Sequence, residues 1–447
     1  MTQQEGELVT EGLTEGQHEP ISKHGRSVAG EEDKTSAIVV TGQPRDELSD
    51  AEAEVRPRVM LLGSSELSRE LTIALRHLGA EVIAVDGYAD APAHRVADQS
   101  VVVSMTDADE LSAVFGRLQP DFVVTVADAV SVDALEALNA PGAQAADEFT
   151  ELVPSARSVR LTADREGLRR LAADQLGLPT APFWFVGSVG ELEAVAAHAG
   201  FPLLVKPVTG ATGQGHSVVA GSDDIEPAWR RAVGREEGMA RQRALAEAVV
   251  EIEFHITLIV VRTDGPNGPL IEFCAPIGHS DADAEVLESW QPQQISTAAL
   301  DAAKSIAARI VKALGGRGVF SVELMINGDE VYFADVTPYP RESAWVTLRS
   351  QRLSAFELQA RAILGLPVDT MMISPGAARV MEPGSVGGSP TADAMIGALG
   401  VPESDLRVFG RSGTKLGVAL ATAPDVATAR DRARQVASRL SMRDSRG

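Results

Sequence analysis

One stretch joins a cation to a flexible backbone: "FPLLVKPVTGATGQGHSVV", Phe201 to Val219. An apolar run delivers Lys206, and a loop containing Gly210, Gly213 and Gly215 leads into a second apolar run. Glycines let backbone N–H groups approach phosphate oxygens closely, and the lysine adds a point charge. The order is not that of a P-loop, because the lysine precedes the glycines and no Gly-Lys-Ser/Thr closes the loop. A strand ending in lysine before a glycine-rich flap suits a different phosphate cradle; a hairpin turn with a surface lysine is the alternative. Further along, "GVFSVELMINGDEVYFADVTPYPRE" reads as two apolar strands around Asn327-Gly328-Asp329, carrying one carboxylate each, Glu323 and Asp335. Two carboxylates together with nucleotide phosphates make a Mg²⁺ site. A two-residue turn would put them on opposite faces; a three-residue loop, or one bulge, puts them on the same face. A shared ion therefore requires an odd loop or a bulge at Asn327–Asp329, and two solvated strand carboxylates are the alternative.

The elements that must hold these groups begin at "PRVMLLG". Val59–Leu62 reads as a buried strand, and a helix over 66–78 puts Leu67, Leu71, Ala74, Leu75 and Leu78 on one face, with Gly79 just past its end. "AEVIAVD", "DELSAVFGRLQP" and "DFVVTVAD" continue as strand, helix and strand. This alternation implies a parallel sheet with helices on its faces. From about Asp164 the chain mixes strands, hairpins and helices, including a helix over 300–314 that ends in Gly315-Gly316. A smaller unit from about Gly376 closes with "LGVALATA" as a strand and a helix over about 425–440. The fold class is α/β, divided as 1–56, 57–163, 164–375 and 376–447.

Composition excludes several classes. The net charge of −23 argues against nucleic acid or an anionic membrane as a partner, so a small anionic ligand needs a local basic pocket. No apolar run approaches the ~20 residues of a membrane helix. The single cysteine, Cys274, excludes an internal disulfide and reads as a buried core thiol in a reducing compartment. Residues 1–56 hold 13 Asp/Glu against 5 Lys/Arg, and the first aromatic of the chain is Tyr88. Such a segment buries too little apolar surface to offset its ordering entropy, so it is expected to be a disordered acidic tail.

"LLGSSELSRE" lies where a dinucleotide fingerprint would be, but its three glycine positions hold Gly63, Ser65 and Ser68. The turn still offers helix N–H groups to an anion. Glu66 in the first helical turn could receive an amine or hydroxyl, or simply complement the helix dipole. Asp86, about twenty residues on, could hold a ribose or merely end a strand.

Lys206 and its glycine loop, "AEAVVEIEFHITLIV", "CAPIGH…ESWQPQQ" and "VEL…ADVTP" occur in the order of an ATP-grasp enzyme. More narrowly, "RVMLLGSSELSRELTIALRHLGAEVIAVDGYADAPAHRVAD", "LTADREGLRRLAADQLGLPT", "ESWQPQQIS" and "LGVALATA" resemble formate-dependent phosphoribosylglycinamide formyltransferase, from about Arg58 to the C-terminal helix. The resemblance implies an N-terminal Rossmann-like parallel-sheet domain, a central α+β ATP-grasp domain and a small C-terminal domain. It implies a cytoplasmic homodimer that uses ATP, Mg²⁺, formate and glycinamide ribonucleotide through a formyl phosphate. Arg165 and Lys206 would contact nucleotide phosphates. Ala211, Thr212, Gly213, Gln214, Gly215 and His216 would form the flap, Glu247, Ala248, Val249 and Val250 the adenine hinge, and His255 would lie near the ribose. Glu323 and Asp335 would hold Mg²⁺, Arg341 and Lys206 would act in catalysis, and Glu66, Leu67, Glu342, Arg411, Thr414 and Lys415 would meet the ribotide. The chain departs from the family pattern at several of these places. Val126 replaces a ribotide-binding glutamate, with Asp128 two residues along the same strand as a possible substitute. His255 replaces a glutamate, Gln214 a flap lysine, Asp335 a metal glutamate, Tyr339 an arginine near the transferred phosphate, and Thr414 a basic residue. Two alternatives stay open: an ATP-grasp carboxylate–amine ligase with another acceptor, and a nucleotide-binding homologue without turnover.

Overall fold

The computed structural model describes residues 39–41, 56–139, 149–208, 215–234, 243–265, 268–282, 285–381, 390–409 and 415–441. The first sheet comprises β1 (Val39–Thr41), β2 (Arg58–Leu62), β3 (Glu81–Asp86), β4 (Gln99–Val102), β5 (Phe122–Thr125) and β6 (Glu151–Val153). Its order is β1-β4-β3-β2-β5-β6, parallel throughout except for β1. The central strands are apolar on both faces because helices cover both. Met60, Leu62, Ile83 and Val85 face one core cluster, and Val59, Leu61, Val82 and Val124 face another. β1 (Val39–Thr41) lies within the stretch expected as an acidic tail and extends the edge of the sheet as a β-branched run; apart from it and Arg56, residues 1–56 lie outside the described residues.

The second sheet holds β7 (Phe183–Val186), β8 (Leu203–Pro207), β9 (Ser217–Val219) and β10 (Ala244–Ala248), ordered β7-β10-β8-β9 and antiparallel. The third is antiparallel and larger. Its strands are β11 (Phe254–Gly265), β12 (Gly268–Phe273), β13 (Ile277–Ala282), β14 (Glu285–Gln291), β15 (Gly318–Asn327), β16 (Glu330–Thr337), β17 (Gly376–Met381), β18 (Ser404–Val408) and β19 (Gly417–Thr422). They run β16-β15-β11-β13-β14-β17-β19-β18, with β12 beside β11. The stretch beginning at Gly376 thus builds no sheet of its own, because β17 pairs with β14 and continues the central one.

The helices used below are α1 (Glu66–His77), α2 (Ala108–Leu118), α3 (Val132–Leu138), α4 (Ala156–Ala163), α5 (Arg165–Arg170), α6 (Val189–Ala199), α7 (Ile225–Val233), α8 (Thr297–Leu314), α9 (Thr347–Ser350), α10 (Ala355–Ile363), α11 (Ala392–Leu399) and α12 (Val426–Ser441). Ser65 caps α1 by accepting the Ser68 N–H at 3.3 Å, and Leu71, Ala74 and Leu75 face the sheet. α8 begins at the Ser296 cap, and its Ala303, Ile306, Ile310 and Leu314 pack on Leu258, Phe320 and Phe333 of the third sheet. α6 and α7 cover the second sheet through Leu192, Ala196, Ala228 and Trp229.

α12 is fastened by charge as well as by apolar packing. Glu288 on β14 is 2% exposed and takes Arg430 Nε at 2.6 Å, Arg434 Nε at 3.0 Å and Arg379 Nη1 at 3.3 Å. Charge-assisted bonds to one carboxylate hold the helix and β17 to the same strand. Glu288→Ala leaves these guanidinium groups without their common acceptor. It is expected to lower unfolding stability by about 2–3 kcal/mol, measured by urea denaturation; an unchanged midpoint refutes this role.

Candidate active site

Between the second sheet and the edge of the third lies a cleft whose cations are Arg165, Arg169 and Lys206. His216 and Asp335 enter from its sides, and Leu168, Leu245 and Phe333 supply apolar wall. The local sequence explains the convergence. Asp164 caps α5 by accepting the Glu166 N–H at 3.0 Å, and Arg165 and Arg169, four residues apart, share a helix face. Arg165 Nη1 donates to Pro207 O at 2.7 Å, which holds it against the end of β8. Lys206 stands on β8 across from Leu245 of β10.

Glu247 joins these cations. It is 5% exposed, Lys206 Nζ lies 2.5 Å from its Oε2, and Arg169 Nη2 donates to its Oε1. Burial alone would favour the neutral carboxyl, but Lys206 and Arg169 outweigh it and hold the pKa below the usual range. Arg169 also donates to the carbonyls of Phe333 at 3.2 Å and Ala334 at 3.1 Å, so one guanidinium ties β10 to β16. Glu247 falls in the stretch expected as an adenine hinge, but its carboxylate is committed to the cations. The next N–H groups, of Ala248 and Val249, donate to Pro182 O at 2.9 Å and Pro202 O at 3.3 Å. Val250 lies two residues beyond β10 and is partly buried.

His216 brings a buried ring nitrogen, Nε2, that has no hydrogen-bond partner. Burial, then Lys206 and Arg165, lower its pKa to about 4 against the opposing pull of Glu247. An unpaired buried nitrogen beside a cationic cleft is a position that an anionic ligand could complete. Gly215, before it, has φ +72, and a Cβ there would lie 2.8 Å from Pro207 Cγ, so only glycine fits the turn. Ala211, Thr212, Gly213 and Gln214 lie outside the described residues.

The carboxylate pair is built by a bulge. Asn327 pairs with Glu330, leaving Gly328-Asp329 as a two-residue turn, and the register then shifts so that Glu323 opposes Asp335. Ala334 is the extra residue. The expected irregularity is thus real but falls on β16, not at Asn327–Asp329. Without it Asp335 would share the face of Phe333; with it Val336 takes that core-facing side. Glu323 and Asp335 are therefore cross-strand neighbours on one face, hard oxygen donors of the kind Mg²⁺ accepts. His255 lies two residues from Thr257, the partner of Glu323 on β11, and its ring is tilted against His279 at 6.1 Å between centroids.

Beyond β16 the chain meets the first sheet. Tyr339 is buried and its hydroxyl donates to Asp128 Oδ1, while Arg341 Nη1 lies 3.5 Å from the same oxygen. Asp128 is not on a strand with Val126, because β5 stops at Thr125. Val126 packs against the apolar cluster of the first sheet and Asp128 turns to Tyr339 and Arg341. Further round, Lys415 Nζ lies 2.5 Å from Glu342 Oε1. Leu67 packs on the cluster that contains Trp345, with Phe409 against it, and Glu66 pairs with Arg69 at 3.6 Å. The first turn of α1 thus joins the apolar cluster that contains Ala344 and Trp345, which follow Glu342 in the chain. Arg411 and Thr414 lie outside the described residues.

Two other candidates have structural roles. Asp86 accepts the backbone N–H groups of Ser64 and Gly87, each at 2.7 Å, and so builds the turn after β2. Cys274 is 2% exposed in an apolar cluster, and burial pushes its thiol up to about 12. The residue missed from sequence is Arg169. Its signal was present in "REGLRR", where it repeats Arg165 at helical spacing, but only the fold shows that this face meets Glu247.

The cleft and the sheets beside it are those of an ATP-grasp protein, and residues 171–356 match the family model for the ATP-grasp domain. A Corynebacterium glutamicum (strain R) relative, named formate-dependent phosphoribosylglycinamide formyltransferase, is 46% identical over 382 residues, which is 84% of this chain and 92% of the relative. A Burkholderia pseudomallei (strain 668) relative of the same name is 46% identical over 389 residues, covering 85% and 94%. The chain belongs to the formate-dependent phosphoribosylglycinamide formyltransferase family. The solved glycinamide-RNase-transformylase T of Mycobacterium tuberculosis is similar at 71% identity and TM-score 0.73, covering 86% of this chain and 99% of that one. A carboxyaminoimidazole ribonucleotide synthase from Aspergillus clavatus, solved with ATP, shares the fold at 22% identity and TM-score 0.73, covering 86% and 99%.

The depressed His216 pKa carries a sign. Between about pH 6.5, where an unfolded histidine titrates, and about 4, where this one does in the folded chain, the unfolded state binds the extra proton. Stability is therefore full above that window and declines as pH falls through it, by no more than about 1.4 kcal/mol per pH unit. His216→Gln is expected to reduce the fall in urea-unfolding stability between pH 7 and pH 5. Identical pH dependence in the two proteins contradicts the buried, cation-flanked placement.

Proposed function

We propose that this protein formylates glycinamide ribonucleotide with ATP and formate in de novo purine synthesis. A formate oxygen attacks the γ-phosphorus of ATP and ADP leaves, which forms formyl phosphate. The ribotide amine then attacks the formyl carbon, inorganic phosphate leaves, and the amine releases a proton. Family membership supports this reading. Among the observations on the molecule itself, the one that carries it is the bulge at Ala334. It turns Asp335 to the face of Glu323, and Asp335 lines the cleft that Lys206 and Arg165 enter.

The residues divide the work. Lys206 and Arg165 bind the polyphosphate, and Glu247 sets the lysine's position until the ligand arrives. Glu323 and Asp335 would hold Mg²⁺, which when bound offsets phosphoryl charge; Asp335, with a short side chain that also accepts the Val336 N–H at 2.8 Å, offers fewer free oxygens than a glutamate. Arg341 supplies a fixed cation where negative charge develops, and a pre-set charge in a secluded site needs no reorganisation during reaction. Glu66, Leu67, Glu342 and Lys415 receive the ribotide, together with Arg411, whose planar fork suits its phosphate. A cytoplasmic homodimer belongs to the same reading, and sedimentation tests its assembly. Among the described residues no helix is long and apolar enough to cross a membrane.

ADP release should require both formate and the ribotide, and a formylated ribotide should accumulate with it. ADP release driven by a different carboxylate and amine would establish another ligase, and tight ATP binding without release would establish a non-catalytic homologue. Lys206→Ala should weaken ATP binding about tenfold or more, the scale of one charge-assisted contact. Calorimetry with a nonhydrolysable analogue reads this; wild-type affinity in a folded Lys206→Ala protein sinks the lysine's assignment.

A further inference from the structure

Arg341 is held more firmly than an arginine that merely borders a cleft. Its backbone N–H donates to Ser321 Oγ at 3.3 Å, and the Ser321 hydroxyl donates to Tyr339 O at 2.9 Å. Thr337 Oγ1 donates to the same carbonyl at 3.2 Å. Ser321 and Thr337 are paired across β15 and β16, one step along the same face from Glu323 and Asp335. The backbone of 339–341 is therefore anchored on the carboxylate face. The side chain is fixed separately: its guanidinium lies 6.0 Å from the Tyr339 ring centroid, and Asp128 reaches it from the loop after β5.

Asp128 and Glu323 compete for this guanidinium. Burial opposes its charge, yet Tyr339, Asp128 and Glu323 together raise its basicity above the ordinary value. With Asp128 removed, a carboxylate that still acts on the guanidinium is Glu323, one of the two carboxylates of the hairpin. An arginine drawn toward Glu323 would lose the orientation that Asp128 gives its donors. Asp128 and the Tyr339 hydroxyl form one unit, because both donors converge on a single oxygen, Oδ1. Burial, against the opposing pull of Arg341 and with a further push from Asp128, also keeps the Tyr339 phenol protonated well beyond its ordinary range, so it remains a donor to Asp128.

We propose that Asp128 and Tyr339 are positioning residues: they hold Arg341 beside, but off, the Glu323–Asp335 pair, leaving donors of its fork for the carboxylate of formate. The inference rests on the formyl-transfer reading for the identity of the anion. A planar guanidinium matches a carboxylate bidentately, which a lysine cannot do. The restraint comes from a different sheet, so it acts only when the loop after β5 and the end of β16 are in register.

Calorimetric titration of formate into the full chain, with Mg²⁺ and a nonhydrolysable ATP analogue present, tests it. Asp128→Ala should weaken formate binding about tenfold or more while leaving analogue affinity nearly unchanged and the protein folded at the assay temperature. Asp128→Asn, which keeps an oxygen acceptor, should recover part of the loss, and Tyr339→Phe should show a smaller defect. In an Arg341→Ala background, Asp128→Ala should add nothing, because its effect runs through the arginine. Wild-type formate affinity in Asp128→Ala, multiplicative effects in the double variant, or no formate binding by the wild type would each overturn the inference. Formate binding that follows this pattern in a protein unable to formylate the ribotide would overturn the reaction instead. Turnover separates the two further: Asp128→Ala should raise the KM for formate and leave the KM for ATP in place.

Discussion

The extra residue on β16 is the constraint on which the site depends. Ala334 has no partner on β15, so the strand's alternation changes phase between Phe333 and Asp335. The apolar side stays intact on both sides of the shift, because Phe333 and Val336 both face the core under α8. The polar side is thereby free to carry Asp335 opposite Glu323. The carbonyls of Phe333 and Ala334 also become the acceptors of Arg169, which ties the hairpin to the second sheet. A hairpin in regular register would turn Asp335 toward the core in place of Val336 and lose the pair of carboxylates.

From that point the molecule runs as a chain of shared charges. Glu247 accepts from Lys206 and Arg169, so the cleft's cations are pre-set by a buried carboxylate. Asp128 does the same for Tyr339 and Arg341 at the far end of β16, from the first sheet. Glu342 and Lys415 continue the series toward α1. Each pair joins segments far apart in sequence, so the cleft is assembled by the meeting of sheets and not by any one loop. This suits chemistry on an acyl phosphate, which needs cations already placed and water kept away.

Much of this was legible in the residues. The strand–helix alternation from Arg58 announced a parallel sheet, and "FPLLVKPVTGATGQG" announced a cation before a flexible turn. The carboxylates of the hairpin were visible as well, and so was the need for an irregularity between them. The location of that irregularity was not, since a bulge at Ala334 is set by how Phe333 and Val336 pack under α8. Arg169 was hidden for a related reason: a second arginine on a short helix reads as surface until its partner is known.

The sequence by itself determined the local chemistry: which segments are apolar, where a glycine can turn, which side chains are charged, and which family pattern they follow. Those properties are carried by neighbouring residues and survive without a fold. The tertiary structure alone decided the pairings. Glu247 pairs with Lys206 because β10 lies beside β8, and Asp128 reaches Arg341 because the loop after β5 meets the chain beyond β16. Charges separated by many residues acquire partners only when burial and sheet order bring them within hydrogen-bonding distance, and sequence spacing does not encode that distance.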